Sequence, residues 1–120
     1  MKKPIVIFLL AAAASATAAG DLLPLKQGIY VPLASRCKGA SNAEMVNYWG
    51  GRSGIGVAQA ECTIKSLTKK GNVYTIRDEC RDIQSGDKIE GGPTVLTIAS
   101  PVAFKMGADS YKYCGPKPQW

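Results

Sequence analysis

The side chains that most often carry chemistry are sparse in this chain, and one is missing: its 120 residues contain no His. Without an imidazole there is no Ser-His-Asp triad, no Cys-His dyad and no His-ligated metal. A Ser nucleophile can use a Lys base instead, as Ser-x-x-Lys does at helix starts in some acyl-transfer enzymes. That spacing occurs at Ser35/Lys38, Ser66/Lys69 and Ser85/Lys88. Each falls on a loop or on a strand running into its turn, so coincidence in a lysine-rich chain accounts for it. Asp78, Glu79 and Asp82 are interleaved with Arg77 and Arg81. This reads as a solvated charge network, since paired glycosidase carboxylates need a fixed separation across a cleft. The expectation is a non-enzyme with no catalytic residue, no metal and no cofactor.

The cysteines are the other reactive set. Cys37, Cys62, Cys80 and Cys114 are separated by 25, 18 and 34 residues. Zinc sites and redox pairs favour close spacings such as C-x-x-C, whereas an even count in an exported chain implies disulfides. A local feature selects the connectivity. Two alternating runs, residues 61–67 and 73–80, flank Lys70-Gly71-Asn72, which reads as a three-residue hairpin loop. With Lys69 opposite Val73, Cys62 faces Cys80. That bond closes a short loop and is worth roughly 3 kcal/mol in loop entropy. The remaining pair, Cys37–Cys114, ties the first strand region to the last.

Binding chemistry is the default that remains. The chain has 15 Lys and Arg against 9 Asp and Glu, a formal charge of +6. Lys65, Lys69, Lys70 and Arg77 are expected on or near the tip and outer face of the hairpin, as a patch for anionic headgroups or acidic polymers. Tyr48 and Trp49 precede the loop Gly51-Arg52-Ser53-Gly54-Ile55-Gly56, whose backbone N–H groups and Arg52 side chain could hold an anion. It is neither a P-loop nor a dinucleotide fingerprint. The candidate surface is therefore Tyr48, Trp49, Arg52, Lys65, Lys69, Lys70 and Arg77. The basic excess is too modest and too interspersed with acids to suggest nucleic acid.

Residues 1–19 have the layout of a cleaved signal peptide. Lys2 and Lys3 form the charged start, Ile5 to Ala14 an apolar run of ten, and Ala16-Thr17-Ala18 a small-x-small cleavage site. The run is too short to span a bilayer, and no Cys follows the site to take a lipid. The expected location is periplasmic or secreted, with no transmembrane segment once the signal is removed. Lys2 and Lys3 leave with it, so 13 basic side chains then face 9 acidic over 101 residues.

The rest must position these groups. Residues 20–27 read as a leader, mobile or lying on the surface, 28–114 as one β domain and 115–120 as a tail. Ser41-Asn42-Ala43-Glu44 has capping-box spacing, but Met45 to Trp49 is β-branched and aromatic, and a strand is favoured there. Further strands are expected near 28–31, 94–99, 102–106 and 111–114, with a short one at 88–90. The fold class is all-β: a small antiparallel up-and-down barrel or strongly curved sheet of six to eight short strands with two disulfides.

The pattern Gly28-x-Tyr30, Cys37, glycine-rich turn, Cys62-x-Ile64, Gly71-x-x-Tyr74, Cys80, Tyr113-Cys114 resembles a loose group of small exported proteobacterial β-proteins. These motifs are structural, so the resemblance implies a fold and no catalytic residue. In size and all-β character the chain is also similar to small periplasmic inhibitors of lysozyme, a likeness of fold alone. The expected function is binding of a periplasmic protein or an anionic envelope component. The alternatives are a miniature lipocalin-like carrier of an apolar ligand, or an inhibitor of a cell-wall hydrolase.

Overall fold

The computed structural model describes residues 20–57, 60–89 and 92–119. The proposed signal peptide lies outside them. The described residues form nine antiparallel strands and no helix: β1 (Gly28–Pro32), β2 (Val46–Tyr48), β3 (Gly56–Val57), β4 (Ala60–Lys70), β5 (Val73–Asp82), β6 (Lys88–Ile89), β7 (Thr94–Ser100), β8 (Ala103–Met106) and β9 (Asp109–Gly115). Eight follow one path, β3-β2-β1-β9-β8-β7-β5-β4, and β6 pairs with β5 beyond the end of β7. The two ends of the path meet through residues 52–54. The Ile64 amide donates to the Arg52 carbonyl at 2.7 Å and the Gly54 amide to the Cys62 carbonyl at 3.1 Å. The result is a nearly closed barrel, which leaves few unpaired strand edges.

Its interior is filled. Tyr30, Val46, Tyr48, Ile64, Tyr74, Ile76, Leu96, Ile98 and Phe104 point inward from the strands and are buried. Tyr111 and Tyr113 join them: Tyr111 stacks on Phe104 at 5.2 Å, and Tyr113 meets Tyr30 edge-on at 5.3 Å. Residues 20–27 run along the barrel mouth with most side chains exposed, but two of their leucines turn in. Leu23 and Leu25 are buried in the same core. The Tyr48 hydroxyl donates to the Leu23 carbonyl at 3.2 Å and accepts from its amide at 3.3 Å. The leader is thus a plug, placed because its leucines have an apolar barrel mouth to fill.

β1 is buried on both faces. Tyr30 faces the interior, while Ile29 and Val31 form a second cluster with Ala40, Met45 and Cys114. The 33–45 excursion covers this outer face and is stapled there by Cys37–Cys114. The tail is also fixed: Gly39 donates its amide to the Gln119 carbonyl at 2.7 Å. Within the excursion the capping-box contact forms without its helix. The Glu44 carboxylate accepts from the Ser41 amide at 3.3 Å, but the chain makes one turn and enters β2, the favoured strand.

The hairpin carries Cys62–Cys80 as expected, by a different route. Lys70, not Lys69, faces Val73, so the loop is the two residues Gly71-Asn72. Gly71 takes a φ of 64°, the left-handed conformation that tight hairpin turns need at their first position. The register is then one residue off until a bulge between Ile64 and Ser66 restores it, and Cys62 meets Cys80. The bulge also changes which side chains face inward. It turns Leu67 towards the core, opposite Ile76.

Candidate functional site

At the end of the barrel opposite Gly71-Asn72, the Cys62–Cys80 bond lies between two adjoining concavities. One, of about 250 Å³, is bounded by Asn47, Trp49, Ser53, Glu61 and Ile83. The other, of about 170 Å³, is bounded by Ile55, Asp78, Cys80, Ile89 and Thr94. Val57, Ala60 and Cys62 belong to both. Trp49, Val57, Ile83 and Ile89 are large apolar residues 43–66% exposed, which makes this mouth an apolar rim around a disulfide. Single exposed apolar residues are ordinary on a protein surface, whereas a grouped set marks a contact site.

Local structure places each of these groups. Asn47 and Gly56 pair across β2 and β3, which brings Val57 beside Val46. Gly54 lies so close to β5 that a Cβ there would meet the Asp78 carboxylate at 2.6 Å. A larger residue at 54 would push that side chain aside where the 52–54 segment joins the two ends of the sheet. Asp78 faces inward, opposite Ile64, and its carboxylate lies within 4.8 Å of both sulfurs. Those sulfurs are bonded to each other and offer no thiolate to a metal. Burial pushes the Asp78 carboxyl above the usual aspartate range, against a smaller opposite pull from its own backbone N–H.

A carboxyl shifted upward favours the fold most when neutral. Its contribution is complete below the unfolded pKa and is lost as pH rises through the folded one. Asp78→Asn is therefore expected to be more stable than the wild type at pH 7. The advantage should vanish at about pH 3, where the wild-type group is neutral as well. Urea denaturation at the two pH values checks this, and an Asn variant less stable at pH 7 would contradict it.

Of the seven candidate surface residues read from sequence, Trp49 alone lines this mouth. Tyr48 is fully buried and anchors the plug, so it is not a surface residue. Arg52 spends its guanidinium on the Ile64 carbonyl at 3.0 Å. Three of the glycine loop's N–H groups are likewise taken, Gly51 donating to the Asp21 carboxylate at 2.7 Å, Ser53 to the Gly50 carbonyl and Gly54 to the Cys62 carbonyl. The basic patch is broken up. Lys65 pairs with Glu79 at 3.5 Å, and Glu79 also holds Arg81 at 3.0 Å. Desolvation, the largest single influence, works to raise the Glu79 carboxyl, but Lys88, Arg81 and Lys65 together outweigh it and bring it below its usual range. Lys69 sits over the Tyr74 ring at 5.8 Å, on the inward face beside the plug. Lys70 at the hairpin tip and Arg77 on the outer face are exposed. Asp78, expected in the solvated network, points the other way.

The Ser-x-x-Lys pairs do not converge. Ser35 donates to Glu44 at 3.3 Å, and Ser85 accepts from the Asp87 amide. Ser66 and Lys69 point to opposite faces of the hairpin. Sequence reasoning missed Val57, Ile83 and Ile89. Ile83 and Ile89 were legible as isolated isoleucines in an otherwise polar stretch, too few to form a core of their own. Among the described residues no helix is long and apolar enough to cross a membrane. Comparison with family models, with curated proteins and with solved structures finds no match.

Proposed function

We propose that the chain is an exported, non-enzymatic β-domain that binds a partner protein of the cell envelope or its surroundings through the mouth around Cys62–Cys80. One observation carries this reading: Trp49, Val57, Ile83 and Ile89 stand exposed around the same two concavities. A partner that covers them removes apolar surface from water, and a partly exposed Trp is the side chain most often found at the centre of such contacts. Export is supported by the signal-like layout of residues 1–19 and by two disulfides, which persist in oxidising compartments. An anionic envelope component has less behind it, because Lys65 is paired with Glu79 and Lys69 lies over the Tyr74 ring. An apolar carrier has less still, because side chains occupy the barrel interior.

The test is affinity capture from native envelope extract at low salt, with wild type and a Trp49→Ala/Ile83→Ser variant. Both positions are exposed, so the variant is expected to fold. A protein retained by the wild type and reduced at least tenfold with the variant is the expected result. Equal capture by both, or none by either, overturns the proposal.

A further inference from the structure

The charges at the mouth run against those of the chain. Lys and Arg outnumber Asp and Glu by 15 to 9. Yet the described lining of the two concavities contains Glu61 and Asp78 and no Lys or Arg. Nor do the neighbouring bases reach in to compensate. Arg52 is committed to the Ile64 carbonyl, Lys65 to Glu79, and Arg81 to Glu79 and the Gly86 carbonyl. Among the described residues the Asp78 carboxylate has no ion pair, and its hydrogen-bond partner is its own backbone N–H.

We propose that this mouth receives a basic side chain of the partner protein, with its cationic head on Asp78 and its apolar stem along Val57 and Ile89. This rests on the function proposed above and names the chemistry of the group that enters the site. A carboxylate in a recess walled by Ile55, Val57 and Ile89 binds a cation more strongly than one in water, because the competing solvent is displaced. Lysine and arginine combine that cation with a methylene stem that prefers apolar walls. The occupant is assigned to a protein and not to a free amine because of the rim. Trp49 and Ile83 stand exposed beside the recess, with apolar surface that a small amine lodged at Asp78 does not cover. The raised Asp78 carboxyl fits the same picture, since a group disfavoured as an anion in the free protein regains its charge when a cation arrives.

The test uses capped peptides with one central lysine flanked by leucines, against the same peptide with norleucine in its place. Trp49 emission reports binding in a Trp120→Phe background at pH 7. The lysine peptide is expected to bind at least tenfold more tightly than the norleucine peptide. Asp78→Asn should abolish that preference and leave norleucine binding unchanged. Glu61→Gln, on an exposed side chain, should reduce the preference by only two- to threefold and guards against a folding effect at position 78. Equal binding of the two peptides, no binding of either, or a preference that survives Asp78→Asn overturns the inference. So does n-butylammonium binding as tightly as the peptide, which would assign the site to a free amine. If these arms fail while the Trp49→Ala/Ile83→Ser variant still loses its captured partner, the basic-side-chain inference falls and the proposed binding function stands.

Discussion

Replacing Cys37 and Cys114 together with alanine is expected to lower the unfolding free energy by about 4.5 kcal/mol, from the loop entropy released over 77 intervening bonds of sequence. Domains of this size are stable by about 5–15 kcal/mol, so this one bond accounts for a large share of the total. The Cys62–Cys80 bond spans 18 residues and should contribute less, about 3 kcal/mol. The difference has a structural counterpart. Cys37–Cys114 holds the 33–45 excursion against the outer face of β1, whereas Cys62–Cys80 joins strands that already pair over ten residues. Urea denaturation of both double-alanine variants measures the two losses. Amide exchange should show Ile29 and Val31 losing protection in the Cys37/Cys114 variant only. A larger loss from the Cys62/Cys80 variant would contradict the ranking.

Tyr30→Ala is the second large effect, a loss of roughly 3–5 kcal/mol expected for a fully buried aromatic. The ring packs edge-on against both Phe104 and Tyr113, at 5.1 and 5.3 Å. The hydroxyl points between two carbonyls, Lys26 at 2.6 Å and Pro101 at 3.1 Å, and so links the plug to the β7–β8 turn. Tyr30→Phe removes only that link and is expected to cost about 1 kcal/mol. It also leaves a signature at high pH. Burial first, and the neighbouring Tyr113 second, push the Tyr30 hydroxyl up to about 12. A group shifted upward from a usual value of about 10 supports the fold fully below that value and ceases to do so as pH rises through about 12. Wild type should therefore lose stability across that window, and Tyr30→Phe should lose less. Identical alkaline unfolding of the two proteins would contradict the role given to the hydroxyl.

The fold was largely legible because its signals were local. Alternation marked β4 and β5, β-branched and aromatic composition decided Val46–Tyr48 against a helix, and glycine marked the turns. What misled was the glycine's place within the turn. Gly71, with a φ of 64°, and Gly107, with a φ of 63°, each occupy the first position of a two-residue loop. Sequence reasoning set Gly71 inside a longer loop. It reached the right disulfide because the Lys65 bulge compensates by one residue, and a bulge leaves no mark in the residue pattern except an oddity such as Leu67. The plug was missed for a related reason. Leu22-Leu23-Pro24-Leu25 has no strand period, and its burial depends on a barrel mouth built from residues far along the chain.

Of the candidate site, Trp49 and the Cys62–Cys80 bond were legible in the sequence. Charge runs suggest patches, but neighbours decide whether a charge is free. Glu79 takes up Lys65 and Arg81, and the bulge turns Lys69 inward. Asp78 looks like its neighbours in the sequence, yet strand parity sends it to the opposite face. No local pattern signals that Trp49, Val57, Ile83 and Ile89 meet, because barrel closure brings them together.

The pairing of β1 with β9 also sets a clock. Ile29 to Pro32 is synthesised well before its partner, Tyr111 to Gly115. The plug waits too, since the mouth it fills is incomplete without β4 and β5. The partial chain therefore has little to fold into, and loop closure over such separations is slow even when the chain is complete. The barrel stays open until β9 arrives, and then most of its stability arrives at once.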